Sequence, residues 1–222
     1  MKNKRLIEAY DAIRPDPERS EKILAALEQA CSPERETITA MKTKKILLAL
    51  LFAALTASAA CAADVALTSI GQGPDAMMIK VIMRSLKITP DYEPLMKPEA
   101  LTNQKALVAV VGGSSKGLGA AGIDKEQEVE RTKALCDAAV AKGMKVLIMH
   151  VGGEGRRGTL SDLFIEAAAP YADDMIVVDG GNGDGIFTKF AEAKSITIKT
   201  APNVKGTREP LSAVLAGWGI TQ

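Results

Sequence analysis

Hydrophobic and polar positions divide the chain into three parts. The first 40 residues are mostly polar, with apolar side chains at helical spacing. An uncharged run then extends from residue 46 to residue 63, directly after a lysine-rich stretch. Beyond it, short apolar runs alternate with longer stretches of helical periodicity. This pattern predicts a helical tail, a membrane or signal segment and one folded domain, with the bounds 1–40, 41–63 and 64–222.

The third part predicts strands and helices in alternation. Apolar runs indicate strands at 65–70, 106–111, 145–150, 175–179 and 196–200, and a short extended piece is expected near 91–93, between two prolines. Helical spacing indicates helices at 76–86, 124–142, 159–169, 184–194 and 209–216, with Asp124 and Gln127 spaced as a capping box. Buried strands that alternate with helices are typical of a parallel sheet covered on both faces. We therefore predict a three-layer α/β fold, Rossmann-like or flavodoxin-like, with an open and mostly parallel sheet of about five strands.

The uncharged segment 46–63 allows three interpretations. It is long enough to span a bilayer, with the domain outside and the N-terminus inside, because the basic residues before it stay inside. It also fits the signal peptide of a secreted protein that starts at Met41, and Cys61 offers a site for lipid attachment. Residues 10–18 read YDAIRPDPE and resemble the cytoplasmic tails that precede a membrane span in many Gram-positive bacterial proteins. We favour a single-pass protein, in which residues 1–40 are either a solvated helical hairpin or a docking segment for a cytoplasmic partner.

Composition excludes several classes of function. The formal net charge of +1 argues against binding of nucleic acid through bulk basic charge. The chain has one histidine, and its three cysteines lie in separate regions at Cys31, Cys61 and Cys136. We therefore expect no zinc or other metal site, no cofactor and no disulfide framework in the domain.

Glycine-rich loops follow four of the predicted strands. They cover residues 71–75, 112–122, 150–158 and 179–185. Because the carboxyl ends of parallel strands meet at one edge of a sheet, these loops predict a binding site there. Glycine allows backbone to approach a ligand closely, and the loops add basic side chains that suit an anion. We expect the small anionic ligand to be bound by residues from these loops, namely Gln72, Asp75, Gly113, Ser114, Ser115, Lys116, Gly117, His150, Gly153, Glu154, Arg156, Arg157 and Asp184.

The second loop resembles, in its glycine spacing, the cofactor fingerprint of short-chain dehydrogenases. Gly113, Gly117 and Gly119 carry the likeness. That fingerprint requires a helix at once, whereas Gly122 and the cap at Asp124 predict a longer loop first. The Tyr-x-x-x-Lys pair of those enzymes is also missing, so we reject the resemblance. After the third loop, residues 159–162 are expected to cap the helix predicted there.

Two alternatives to anion binding remain. His150 ends a buried strand and, with Ser114 or Ser115 and with Asp179, would make a hydrolytic triad. The chain lacks the Gly-x-Ser-x-Gly elbow that holds the nucleophile in many such enzymes, so we favour a protein that is not an enzyme. The other alternative is a structural interaction domain in the cell envelope.

Longer motifs give a family resemblance. They are LTSIGQ at 67–72, VVGGSSKGLG at 110–119, MHVGG at 149–153, RRG at 156–158 and DGIFTK at 184–189. With these motifs the chain resembles an uncharacterised family of exported bacterial domains, the domain of unknown function numbered 6305. The resemblance implies that the loops act as one unit, and it implies no known reaction.

Overall fold

The computed structural model describes residues 63–221. The predicted tail at 1–40, the apolar segment as far as residue 62 and the lipid-attachment site at Cys61 lie outside the described residues. Within 63–221, none of the helices combines the length and the apolar character needed to cross a bilayer.

Six parallel strands form one open sheet. The strands are β1 (Val65–Ile70), β2 (Asp91–Tyr92), β3 (Ala106–Val111), β4 (Lys145–His150), β5 (Asp174–Val178) and β6 (Ile198–Ala201). Their order across the sheet is β2-β1-β3-β4-β5-β6, and every neighbouring pair is parallel. The predicted parallel sheet is therefore confirmed. We predicted about five strands, and the sheet has six because the short extended piece at residues 91–92 forms β2, which pairs with β1.

Six α-helices accompany the sheet in the described chain. They are α1 (Asp75–Ser85), α2 (Ser115–Ala121), α3 (Lys125–Ala141), α4 (Thr159–Ala168), α5 (Ile186–Lys194) and α6 (Arg208–Gly217). Buried side chains of α1 and α6 pack with one face of the strands, and those of α2, α3, α4 and α5 pack with the other. Alternate residues of β1 point to the two cores, Val65 and Leu67 to the first and Ala66 and Ile70 to the second. The three-layer prediction is confirmed.

The predicted capping box at α3 is present, but the loop predicted before it is wrong. Asp124 accepts a hydrogen bond from the backbone of Gln127, and Gln127 accepts one from the backbone of Asp124. Ahead of this cap, α2 occupies residues that we expected to form a loop. The hydroxyl of Ser114 caps α2, Leu118 buries its side chain in the core, and Gly122 ends the helix with a φ of 69°. The cap and the buried leucine outweigh the low helical propensity of the glycines.

The strand order creates a crevice between β1 and β3. The chain leaves β1 towards β2 on one side, and leaves β3 towards β4 on the other. Ligands of open parallel sheets bind at such a reversal, beyond the carboxyl ends of the strands. Four connections meet at this edge, and we number them loop 1 (residues 71–74), loop 2 (112–114), loop 3 (151–158) and loop 4 (179–185).

Candidate functional site

Glycines pack the loops against each other rather than against an open ligand site. A Cβ atom added at Gly113 would lie 2.9 Å from the side chain of Leu160, and one added at Gly73 would lie 2.7 Å from the carbonyl oxygen of Gly112. A Cβ at Gly117 would collide with the carbonyl oxygen of Gln72. At these positions a close protein neighbour already requires glycine, whether or not a ligand also approaches.

Gln72, which we predicted to bind the ligand, makes hydrogen bonds that support the crevice. Its backbone has a φ of 56° and bridges to Gly113. Its side-chain amide donates to the carbonyl of Pro94 and to a carboxylate oxygen of Glu128, at 3.1 and 3.0 Å. The side chain is therefore committed to holding loop 1 in its left-handed conformation.

A buried ion pair that the sequence analysis missed lies below loop 1. Glu128 accepts from both Nε and Nη2 of Arg131 at 2.7 Å, and its side chain is fully buried. Arg131 also donates to the carbonyls of Ser69 and Met96. The sequence did contain a signal, because Glu128 starts the stripe of α3 that Thr132, Leu135 and Cys136 continue at helical spacing. A charged residue on a buried stripe requires a partner.

Arg157, which we predicted to bind the ligand, makes hydrogen bonds within the protein. Its guanidinium donates to Asp162, to the carbonyl of Gly181 and, through two nitrogens, to Asp184. The hydrogen bond from Arg157 lowers the pKa of Asp184 to about 2, and the same bond raises the pKa of Arg157. This contact fastens loop 4 to the start of α4. Asp184 stays a predicted ligand contact, although it does not line the α4 pocket described below.

Arg156, unlike Arg157, is not held by hydrogen bonds to the described part of the chain. Its side chain is 35% exposed and makes no hydrogen bond to a described residue. The Arg156 side chain packs over Gly152, and a side chain at position 152 would collide with it. The Nε atom lies 3.8 Å from Oδ2 of Asp75, which is too long for a hydrogen bond. Asp75 itself is buried, and its Oδ2 has no hydrogen-bond partner within residues 63–221.

The start of α4 opens beside Arg156. The N-cap residue is Gly158, with a φ of 135°, and no side chain caps the helix. The first backbone N–H groups of a helix have no partner within it and carry a partial positive charge. They face a cavity of about 310 Å³, and we call this cavity the α4 pocket. Residues that line it include Gly113, Ser115, Arg156, Arg157, Thr159 and Ser161.

The predicted cap at residues 159–162 is wrong, and its polar side chains act elsewhere. The buried hydroxyl of Ser161 accepts a hydrogen bond from the backbone of Gly113 at 2.9 Å, which ties α4 to loop 2. Asp162 binds Arg157. The helix start therefore stays open towards the pocket. A second cavity of about 640 Å³ shares Ser115, Thr159 and Leu160 with the α4 pocket and continues it between α2 and α4.

His150 does not form a triad with either serine. It is fully buried, with Nδ1 2.9 Å from the carbonyl oxygen of Val111 and Nε2 3.1 Å from that of Gly153. The hydroxyl of Ser114 accepts from the backbone of Gly117 as the cap of α2. Within residues 63–221, no hydrogen bond joins His150 to Ser114 or Ser115. In this conformation the histidine holds loop 3 on β3.

The structure thus brings together part of the predicted set. Of the predicted residues, the α4 pocket gathers four, which are Gly113, Ser115, Arg156 and Arg157. Lys116 and Glu154 are exposed and do not line it, while Gly153 is buried and adopts a φ of 59°. Among residues 63–221, no group of three or more histidine, cysteine or acidic side chains is placed to hold a metal ion.

Fold and loops define a three-layer α/β domain with a pocket at the carboxyl edge of a parallel sheet. A family model described as Domain of unknown function (DUF6305) matches residues 62–215. The chain belongs to this family, as its motifs indicated. No curated protein matches the chain by sequence.

Solved structures show only a distant likeness. The crystal structure of AlinE4, a SGNH-hydrolase family esterase, is 10% identical over 69% of this chain and 92% of the esterase, with a TM-score of 0.28. Two mutants of the same esterase match over the same shares, at 10% identity and TM-scores of 0.27. Likeness at this level assigns neither a reaction nor a site to this chain.

Proposed function

We propose that the domain binds a small anionic ligand in the α4 pocket. The observation that carries this proposal is the uncapped start of α4, which lines a cavity beside the guanidinium of Arg156, a group that makes no hydrogen bond within residues 63–221. Backbone N–H groups at a helix start and an arginine are two donors that suit a phosphate, sulfate or carboxylate group. The hydroxyl-bearing Ser115 lines the same cavity.

The size of the cavity limits the ligand. A volume of about 310 Å³ is at the lower end of pockets that bind small molecules. The second cavity, which shares three lining residues, gives room for a larger substituent attached to the anionic group. We therefore expect a small anion or an anion with a short side group, and no polymer.

The place of this site in the cell is a proposal from the sequence alone. The lysines before the uncharged segment 46–63 favour a domain outside the membrane. In a tethered protein, residues 1–40 would bind a cytoplasmic partner, and ligand binding outside would be the signal that they report. Cleavage after the segment would instead release a secreted binding protein.

Thermal unfolding of the full chain with added anions tests the proposal. The probes are inorganic phosphate, sulfate and acetate at constant ionic strength, with chloride as the reference. A ligand that binds only the folded state raises the free energy of unfolding by about 2.7 kcal/mol when its concentration is one hundred times its dissociation constant. We expect Arg156→Ala to abolish the stabilisation by the anion.

Arg84→Ala is the matched control. Arg84 is an exposed arginine in the last turn of α1, at the amino edge of the sheet. This variant should keep the full response to anions. If no anion stabilises the wild type, or if both variants respond equally, the α4 pocket is not an anion site, and a structural interaction domain becomes the better hypothesis.

A further inference from the structure

We propose that the ligand carries a hydrogen-bond donor next to its anionic group, and that Asp75 accepts this hydrogen bond. A hydroxy acid or a phosphate that retains one proton has this chemistry. The inference rests on the proposed function, since it concerns the ligand of the α4 pocket. It explains two charged side chains whose hydrogen-bonding groups lack partners in the described domain.

Asp75 is unusual for a buried carboxylate. It begins α1 at the carboxyl end of β1, in the crevice between β1 and β3, and is 4% exposed. Buried carboxylate oxygens nearly always accept hydrogen bonds, because the loss of water is otherwise costly. Oδ2 of Asp75 accepts none from residues 63–221. Its surroundings include Gly73 and Gly112, which have no side chains to offer a donor.

Among residues 63–221, Arg156 is the only cation within 4 Å of this oxygen, yet it does not form a hydrogen bond with Asp75. The separation of 3.8 Å between Nε and Oδ2 gives attraction without a hydrogen bond. The neighbouring Arg157 shows what a structural arginine does here, since it hydrogen-bonds two carboxylates and a carbonyl. Arg156 combines a guanidinium without hydrogen bonds with a place in the wall of the α4 pocket.

The pair accounts for both parts of the proposed ligand. The guanidinium of Arg156 and the start of α4 bind the anionic oxygens, and Oδ2 of Asp75 accepts from a hydroxyl on the same molecule. A ligand with acceptors alone would meet repulsion from the carboxylate. Asp75 lies behind Arg156 and does not itself line the α4 pocket in this conformation, so a ligand reaches Oδ2 only when the Arg156 side chain moves aside. This movement breaks no hydrogen bond within residues 63–221, because Arg156 forms none there.

Glycolate and acetate test the inference, because they differ by one hydroxyl group. We expect the wild-type full chain to bind glycolate about tenfold more tightly than acetate in calorimetric titration, which corresponds to about 1.4 kcal/mol. In Asp75→Asn the preference for glycolate should fall towards parity. The affinity for acetate should rise, because a negative charge beside the anion is removed. Simple loss of folding cannot produce these two opposite changes.

Asp179→Asn is the control, because Asp179 is an exposed carboxylate of loop 4 at the same edge without a side-chain hydrogen bond to a described residue. It should keep the wild-type preference. Equal affinities of the wild type for glycolate and acetate would overturn the inference and leave the anion pocket standing. A preference that survives in Asp75→Asn would also overturn it. If neither compound binds, and phosphate and sulfate do not bind either, the proposed function fails as well.

Discussion

The backbone N–H of Gly71 donates a 2.7 Å hydrogen bond to Oε1 of Glu128, a residue 57 positions further along the chain. The same carboxylate oxygen accepts from the side chain of Gln72 and from Arg131. One buried side chain on α3 thus sets the conformation of loop 1 at the crevice. The shape of the candidate site therefore depends on an ion pair that lies beneath it and does not line it.

Glu128→Gln should strongly destabilise the domain. Glutamine keeps the size of the side chain, but it leaves the nearly buried guanidinium of Arg131 without its countercharge. Removal of one partner from a buried ion pair costs about 3–5 kcal/mol. We expect a loss of this order in the free energy of unfolding, measured by denaturation in urea.

Glu130→Gln is the matched control for this change. Glu130 lies on the same helix and is exposed, so its replacement should alter the free energy of unfolding by less than about 0.5 kcal/mol. Equal effects of the two substitutions would show that the buried pair does not stabilise the fold.

Two glycines of α2 should respond to alanine with opposite signs. A Cβ at Gly117 would collide with the carbonyl oxygen of Gln72, whereas one at Gly119 would meet nothing within 4 Å. Gly119→Ala should raise the free energy of unfolding by up to about 1 kcal/mol, because alanine is the better helix former. Gly117→Ala should lower it and shift loop 1. The melting temperatures of the two variants test this difference in sign. If both substitutions raised the melting temperature, the close contact between α2 and loop 1 would be contradicted.

Hydrophobic periodicity was sufficient for the sheet and insufficient for α2. Strands β1, β3, β4 and β5 are buried and mainly apolar, and such short apolar runs between turn residues are typical of the strands of a covered parallel sheet. Their positions were therefore predicted with small errors at the ends. Five of the seven residues of helix α2 are serine, glycine or alanine, and the helix buries only Leu118. Its formation depends on the Ser114 cap and on contact with loop 1. Such tertiary contacts leave no periodic signal.

In the candidate site, too, the sequence does not show which tertiary contacts two neighbouring residues make. Arg156 and Arg157 are indistinguishable in sequence, yet one lacks hydrogen bonds to the described chain and the other is held by two carboxylates. Their roles follow from which loop each side chain meets, and the sequence specifies only the residue type. The location of the site at the carboxyl edge was predictable because it follows from parallel topology.

Cys136 should be unreactive in the folded protein. Burial raises the pKa of its thiol to about 12, and the nearby Arg131 only partly opposes this. The thiolate is the reactive form, so at pH 8 an alkylating reagent should leave Cys136 unmodified in the native chain and modify it fully in guanidinium chloride. Mass spectrometry of the peptide that contains Cys136 gives the result. Rapid native modification would show that α3 opens readily from the sheet.

The contact between Arg157 and Asp184 should make stability depend on acid pH. The hydrogen bond that Arg157 donates to Asp184 lowers the pKa of this carboxyl group from an ordinary value of 3.8 to about 2 in the folded state. A carboxyl group with a lowered pKa stabilises the fold fully above its ordinary pKa, and this stabilisation is lost as the pH falls towards the folded value. Asp184 is 56% exposed, so water screens the pair and limits its contribution to at most about 1 kcal/mol.

Asp184→Asn should therefore be less stable than the wild type at pH 7, and the difference should shrink as the pH falls from about 4 to about 2. Urea denaturation at a series of pH values measures it. Asp179→Asn changes another exposed carboxylate of loop 4, one that makes no side-chain hydrogen bond to a described residue, and its difference from the wild type should not vary over this range. A deficit in Asp184→Asn that stays constant down to pH 2 would mean that the charge of Asp184 does not hold loop 4 to α4. Loop 4 would then be fixed mainly by the hydrogen bond from Arg157 to the carbonyl of Gly181, which does not titrate.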